Sequence, residues 1–538
     1  MVTAEKPAEP VGVAFAAGAL MAGGPVWHYL LVNHYPLTRP EAVVLPLTAA
    51  LIGGAIACVA WRLGGWIGTV LFAGLLYVFV DLQFDLHVQV PSAALIIGCV
   101  VLSRLLQAHR ARLAVITLGV FYLAALPGFV QRTEYSAREA IRPGSSLPLV
   151  VHVILDEQWG IGGLRAAGDT ATAEFLEEFY TDRGFEVYPA AYSRWAQTLA
   201  SIPDVLNLGQ PYALDSVSPR RFRPKHNLYF ERLRQRGYEI RVHQSTLLDY
   251  CRTARAEVVS CAEVDGNSIA NLAYYRGPWT RRALIVSRYF LNVASHAYTK
   301  LHHDPTVWRR AVAGGGLRQL DRVRDEIASG PAKGTAFFIH ALLPHRPLEV
   351  DAQCRAYANP GQRVGYDDGV GASDSLFRAH LGLYAAQTRC AHRAVAAVLD
   401  AIDSIAGRGS SIVIVHGDHG SRMSQEDLEE MTVARYDEQQ LNAVFPTLLA
   451  IRRPGVPAAV HPEPVPAQEF LWHLVASDFK GDPPPVWSHF VGTRPSAITV
   501  SDTIRELDVD EMIWAGEFGA GTAKEWTESR RTSRSVEH

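Results

Sequence analysis

The sequence predicts a helical membrane domain joined to a large α/β domain with a mostly parallel central sheet sandwiched by helices. Apolar residues gather in the first 130 of the 538 positions, and beyond about residue 148 strand-like runs alternate with helix-period segments. Two of those runs, Leu149–Leu155 and Ser411–Val415, lead directly into acidic residues. Alternating strands and helices favour parallel pairing, and open sheets of that kind bind ligands at the carboxyl ends of their strands.

Five apolar stretches make up the first part: roughly Val11–Val32, Ala42–Ala60, Trp66–Val80, Pro91–Leu106 and Leu113–Val130. Each approaches the ~20 residues that cross a hydrocarbon core of about 30 Å, the third being the shortest. A cleavable signal peptide is one such run with a basic start; here only Lys6 precedes the first run and four more follow. Arg62 lies in the second connection and Arg104, Arg110 and Arg112 in the fourth, whereas the third carries Asp81 and Asp85 without Lys or Arg. Basic residues stay on the cytoplasmic side, so the N-terminus is expected inside and the C-terminal part outside, as a multi-pass protein of the cell (inner) membrane with a periplasmic or extracellular catalytic domain. The expected boundaries are 1–130 for the membrane domain, 131–147 for a juxtamembrane linker, 148–518 for the outer domain and 519–538 for a disordered, charged and Ser/Thr-rich tail.

Cysteine usage points the same way. Cys58 and Cys99 fall in apolar runs, where they read as small hydrophobes, and the other four fall in the outer part. An even number in an oxidising compartment predicts two disulfides, Cys251–Cys261 as the local pair and Cys354–Cys390 as the remainder. A formal net charge of -3, with no basic block interleaved with aromatics outside the tail, excludes a strongly basic nucleic-acid binder.

Within the outer part, strands are expected near Leu149–Leu155, Tyr238–His243, Ala336–Ala341, Ser411–Val415 and Thr447–Ile451. Apolar residues at helical spacing from Leu381 to Ile402 predict a helix over His380–Ile402. The first and fourth strands end on Asp156-Glu157 and Asp418-His419-Gly420. Asp156, Asp418 and His419 offer two hard oxygen donors and an imidazole, a set that suits one divalent metal: zinc or manganese first, calcium if further oxygen ligands join. Glu157 is a candidate extra ligand, and His416 reads either as a hydrogen-bonding support for a ligand or as a core residue.

In Trp195–Leu206, Ser201 is a plausible N-cap and Pro203 suits a first helical turn, which places Thr198 just ahead of a helix N-terminus. A hydroxyl there meets free backbone N–H groups and the positive end of the helix dipole, both favourable to phosphate or sulfate. Contact with a metal would lower its pKa and make it a nucleophile. The alternative is that Thr198 and Ser201 only cap the helix. His345, in the loop after the Ala336–Ala341 strand, is placed to stabilise charge on a transferring group or to protonate a leaving oxygen. His340, still inside the apolar run, reads as a core histidine.

With these residues in place, the chain resembles the sulfatase-like branch of the alkaline phosphatase superfamily. More narrowly it resembles the membrane-anchored phosphoethanolamine and phosphoglycerol transferases, lipoteichoic acid synthases and lipid A phosphoethanolamine transferases among them, in which a five-helix membrane domain precedes an extracytoplasmic sulfatase-like domain. Asp156 matches the family's acidic metal ligand after the first strand, where those transferases usually have Glu. Thr198, Ser201 and Pro203 reproduce the spacing around the family's nucleophilic Thr. Asp418-His419-Gly420 matches its later Asp-His-Gly, and His345-Arg346-Pro347 its His-x-Pro.

Two departures accompany these matches. No cysteine stands in the Cys/Ser-x-Pro-x-Arg context that sulfatases convert to formylglycine, and Ser201-Ile202-Pro203-Asp204-Val205 lacks its Arg. The lipid A transferases carry a further His about a dozen residues beyond Asp-His-Gly, whereas here none follows His419 before His461. The resemblance implies a metal-dependent enzyme that transfers a phospho-alcohol group from a membrane phospholipid to a glycan or lipid acceptor at the cell envelope. A phosphoesterase or sulfuric ester hydrolase using water, and a catalytically silent binding protein on the same fold, are its alternatives.

Overall fold

The computed structural model describes residues 10–84, 92–105, 109–125, 146–210, 214–218, 221–253, 258–264, 266, 268–294, 311–330, 333–357, 374–421, 442–480, 490–492, 497–500 and 504–506. The expected linker, apart from its last two residues, and the expected tail lie outside the described residues.

The five apolar runs fold as helices α1 (Val11–Val32), α2 (Pro40–Leu63), α3 (Gly65–Phe84), α4 (Ser92–Leu105) and α5 (Arg110–Ala125). Among the described residues only α1 and α2 are long and apolar enough to cross a membrane. By length and composition, these are two of the five expected crossings. Helices α4 and α5 are described over 14 and 16 residues, each bordering residues outside the described set. Helices α1 and α2 pack through small residues: a Cβ on Gly18 would stand 2.2 Å from the Gly53 carbonyl oxygen, and one on Gly53 2.3 Å from that of Gly18. The outward side of α2 carries the large apolar residues Leu47, Leu51, Ile52 and Val59, while Ala42, Gly53, Gly54, Ala57 and Ala60 face inward. Small residues inside and large apolar ones outside is the arrangement of helices solvated by lipid.

After β1 (Val150–Leu155) the chain runs through α6 (Ile161–Ala166), α7 (Thr170–Thr181), β2 (Glu186–Val187), β3 (Ala191–Tyr192) and α8 (Thr198–Leu206). It continues through β4 (Leu214–Ser218), β5 (Arg221–Pro224), α9 (Leu228–Gln235), β6 (Glu239–Ser245), α10 (Tyr250–Thr253) and β7 (Val258–Val264). Then come α11 (Trp279–Ala294), α12 (Val312–Ser329), β8 (Thr335–Ala341), α13 (Asp374–Ala406), β9 (Ile412–Gly417), β10 (Leu449–Arg452), β11 (Ala459–Val460), β12 (Val465–Pro466) and α14 (Ala467–Ala476). Local chemistry sets several of these boundaries: the Asp169 carboxylate accepts from the Thr172 amide at 3.1 Å to start α7, and the Asn227 side chain accepts from the Phe230 amide at 3.0 Å to start α9.

The chain divides into two compact units. One holds the described residues of Met1–Glu134 and of Asn267–Ala311, so α11 groups with the N-terminal helices; the other holds the sheet. The five strand-like runs of the sequence become β1, β6, β8, β9 and β10. They lie in an eight-stranded sheet of order β11-β2-β10-β9-β1-β8-β6-β7. The run β9-β1-β8-β6-β7 is parallel throughout, and β10 joins β9 antiparallel. Strands β1, β8 and β9 are buried along their whole length, which explains why they read as unbroken apolar runs. Leu155 pairs with Ala341 on one side and Gly417 on the other, so three neighbouring strands end level. That register brings the residues that follow each strand to one place. Cys251–Cys261 and Cys354–Cys390 are both bonded, as expected, and Cys58 and Cys99 are free thiols.

Candidate active site

Asp156, Asp418 and His419 meet where β1 and β9 end. One ligand atom from each lies within 4.8 Å of the others, and all three side chains are buried. The Asp418 carboxylate is oriented at both oxygens: Oδ1 accepts from the Glu157 amide at 3.0 Å and the His419 amide at 2.9 Å, and Oδ2 accepts from the Thr198 hydroxyl at 2.7 Å. His419 Nδ1 lies 2.8 Å from the Gly420 carbonyl oxygen, and a carbonyl can only accept, so Nδ1 carries the proton and Nε2 presents its lone pair. That lone pair is 3.4 Å from both Thr198 Oγ1 and Asp418 Oδ2. Gly420 is required by space: a Cβ there would sit 2.1 Å from the Ala443 carbonyl oxygen.

These donors fit a divalent cation. Two carboxylates buried side by side repel each other and have lost their water, a cost that a bound cation removes. Burial pushes the Asp418 carboxyl up, but His419, His340, the Thr198 hydroxyl and the Glu157 amide outweigh it and hold it below its ordinary value.

Thr198 reaches this trio from α8. The helix begins at Thr198 itself, with extended Gln197 as its N-cap, four residues before the expected cap Ser201. Ser201 is therefore not the cap: it is the fourth helical residue, and its amide donates to the Gln197 carbonyl at 2.9 Å. The amides of Thr198 and Leu199 stand at the open end of the helix, where no preceding turn supplies an acceptor. The loop ahead of Thr198 is tied to α8 by the Trp195 indole, which donates to Asp204 Oδ2 at 2.7 Å.

Burial raises the Asp204 carboxyl to about 6, partly opposed by Arg194 and Trp195. A folded-state value above the unfolded one means that this group's stabilisation is complete below about pH 4 and is lost as pH rises through about 6. Asp204→Asn keeps an acceptor for the indole and cannot ionise. Its melting temperature is expected to match wild type near pH 4 and to exceed it at pH 7, by an equivalent of at most about 3 kcal/mol. Thermal scans of the full chain across that range measure this, and a constant difference would reject it.

His345 stands beside the trio, with Nε2 3.8 Å from Asp156 Oδ1 and 3.7 Å from Glu157 Oε1. Its loop is pinned by Gln387 of α13, whose side-chain amide donates to the carbonyls of Pro344, His345 and Pro347 at 2.9–3.3 Å and accepts from the Glu349 amide at 2.7 Å. Glu157 lies beside the trio rather than within it. Its carboxylate faces His345 and Arg346, whose Nε is 3.8 Å away, and its amide supports Asp418. The residue adopts φ +57°, a left-handed conformation costing about 1–2 kcal/mol in a non-glycine residue. The turn is held by Tyr384, which donates to the Glu157 carbonyl and accepts from the Trp159 amide, both at 2.7 Å.

Two histidines change places in importance. His416 bonds to the core: Nδ1 donates to the Gly417 carbonyl at 2.7 Å, so Nε2 accepts from His152 Nε2 at 2.8 Å, and His152 Nδ1 in turn accepts from the Tyr229 hydroxyl at 3.0 Å. His340, expected in the core, instead places Nε2 3.1 Å from Asp156 Oδ2, with Nδ1 3.3 Å from the Tyr250 hydroxyl. Burial lowers His340 to about 4 against the pull of Asp418, so near neutral pH it is uncharged, donating to Asp156 and accepting from Tyr250. Its pairing opposite Ile154, two residues before Asp156, is what aims it, and that register has no local signal.

No family model matches the chain, and no curated protein matches it. Among solved structures, the C-terminal periplasmic domain of EcEptC from Escherichia coli in complex with Zn is similar at a TM-score of 0.41 and 13% identity, over 72% of this chain and 100% of that one. The phosphonate monoester hydrolase of Agrobacterium radiobacter gives 0.39 and 13%, over 64% and 79%. A protein in the alkaline phosphatase superfamily from Vibrio parahaemolyticus gives 0.37 and 12%, over 71% and 88%.

Proposed function

We propose that this chain is a membrane-tethered, metal-dependent transferase that moves a phospho-alcohol group, of phosphoethanolamine or phosphoglycerol type, from a membrane phospholipid to a glycan or lipid acceptor outside the cytoplasm. One observation carries the reading: the Thr198 hydroxyl lies 2.7 Å from Asp418 Oδ2 and 3.4 Å from His419 Nε2, at the first residue of a helix. Asp156, Asp418 and His419 would hold one divalent ion, zinc or manganese by donor type, which when bound supplies positive charge against the phosphoryl oxygens and lowers the pKa of a nearby hydroxyl. Asp418 Oδ2 accepts the Thr198 hydrogen, which leaves an oxygen lone pair for in-line attack on phosphorus. The Thr198 oxygen–phosphorus bond forms as the bond to the lipid alcohol breaks. His345 Nε2 delivers a proton to the departing oxygen and later takes one from the entering acceptor hydroxyl, whose oxygen bonds to phosphorus as the Thr198 oxygen–phosphorus bond breaks and Asp418 returns the hydrogen to Thr198. The open amides of α8 donate to the phosphoryl oxygens.

The apolar helices then serve the chemistry, because a lipid donor stays in the bilayer and a tethered domain meets it at high effective concentration. Arg62 and the Arg104–Arg112 cluster favour a cytoplasmic N-terminus and an outer catalytic domain, and two disulfides suit that oxidising side. Purified full chain given a fluorescent phospholipid tests the reading. Turnover that depends on an added acceptor supports transfer; complete hydrolysis indifferent to acceptor assigns a phosphoesterase; no turnover and no bound metal assigns a silent binding protein.

His340 supports the trio through Asp156. His340→Phe is expected to weaken divalent-metal binding by about 10–100-fold while the fold persists. Competition against a chromogenic chelator measures this, and unchanged affinity would remove His340 from the site.

A further inference from the structure

We propose that helix α11 lies on the bilayer surface and binds the phosphate layer of anionic phospholipids. The inference rests on α1 and α2 crossing the membrane and is independent of the chemistry proposed for Thr198.

The inner face of α11 is bonded to the ends of α1 and α2. Phe290 meets Tyr29 edge to face with ring centroids 5.2 Å apart. Arg282 donates from Nε to Glu41 Oε1 at 2.7 Å, from Nη2 to Oε2 at 3.4 Å, and from Nη1 to the Gly277 carbonyl at 3.0 Å. Tyr35, just beyond the end of α1, donates to the same Glu41 oxygen at 2.8 Å. Glu41 is fully buried in the first turn of α2, and removing one member of a buried pair costs far more than an exposed pair is worth, so the clamp fixes α11 at that height. Immediately beyond it, Val43, Val44 and Leu47 are exposed, so the lipid-facing surface of α2 starts where α11 is fastened.

The outer face of α11 has the composition of an interfacial helix. Leu284 and Leu291, 44% and 37% exposed, stand seven residues apart and therefore on one side; Trp279, 39% exposed, stands at the N-terminal end, about 120–140° around the helix from them at 100° per residue. Arg281 and Arg288, both half-buried and also seven apart, form a parallel row at the edge of that side, within about 40–80° of the leucines at 100° per residue. An apolar stripe bordered by arginines, with a Trp at one end, buries its stripe among acyl chains and sets its guanidinium groups among phosphates. Against water alone, the two leucines and the Trp would have no such use.

Spin labels at Leu284→Cys and Leu291→Cys test this, in the full chain carrying Cys58→Ser and Cys99→Ser and held in nanodiscs. Both labels replace exposed side chains and leave the clamp intact. In discs of phosphatidylcholine with phosphatidylglycerol, both labels are expected to collide more with dissolved oxygen than with a water-soluble nickel chelate. Arg281→Glu with Arg288→Glu, or discs of phosphatidylcholine alone, is expected to shift the ratio toward nickel. Nickel dominance in every disc overturns the proposal. So does shielding from both reagents, which would mean a protein partner, and so does a ratio indifferent to lipid charge and to the Arg reversals. The same ratio in a Thr198→Ala background separates this result from the fate of the proposed chemistry.

Discussion

Thr198→Ala is expected to lower turnover on a phospholipid donor by on the order of 10⁴-fold or more, since it removes the attacking oxygen from a site that acts as a unit. Thr198→Ser is expected to retain measurable turnover because its hydroxyl can still reach Asp418. The buried threonine methyl adds packing at the start of α8, so the serine variant should be slower than wild type but intact. Mass spectrometry after acid quench checks the assignment directly. A mass equal to the transferred phospho-alcohol is expected on the peptide containing Thr198 in wild type and on the serine variant, and on no peptide of the alanine variant. The same mass on Ser201 would overturn the assignment. That outcome is disfavoured by position: Ser201 is one turn into the helix with its amide committed to Gln197, whereas Thr198 stands at its mouth against Asp418.

The second large effect belongs to Asp418, where three demands meet: it accepts from two backbone amides, from the nucleophile, and it belongs to the ligand trio. Asp418→Asn preserves the shape and one acceptor oxygen but removes the charge and points an amide at Thr198. Divalent-metal affinity is expected to fall by at least about 10²-fold, the upper end of what loss of a mere ligand support costs, and turnover to fall with it. The thermal behaviour supplies a control. With chelator present the variant should melt below wild type, because the ionised Asp418 carboxyl is held below its ordinary value by His419, His340, the Thr198 hydroxyl and the Glu157 amide, and that stabilisation is lost. With zinc or manganese at about a hundred times the wild-type dissociation constant, wild type should gain about 2.7 kcal/mol and the variant should not. Equal metal stabilisation of both would mean that the trio is not the binding site.

Much of this architecture was legible in the chain because its signals are local. The strands β1, β8 and β9 are buried on both faces and so appear as short, unbroken apolar runs. Asp156 and Asp418-His419-Gly420 were readable as site residues because each follows its strand directly. The α8 boundary was misplaced by four residues because Ser201 and Pro203 carry strong end signals, while the actual cap, Gln197, has an extended backbone and no side-chain cap. The five apolar runs were visible as helices.

By itself the sequence determined which segments are strands, which are apolar helices, and that a hydroxyl, two carboxylates and an imidazole stand at element ends, since helical and strand periods and end residues act over a few positions. Tertiary structure decided that His340 serves Asp156 while His416 turns to His152, that Glu157 holds Asp418 by its amide and offers its carboxylate to His345, and that α11 joins α1 and α2 through Arg282 and Glu41. Those outcomes depend on the register between strands far apart in sequence and on the pairing of residues up to 264 positions apart, as between His152 and His416. No window of neighbouring residues contains that information, because the free energy that selects it comes from burying and pairing groups that meet only once the chain has closed.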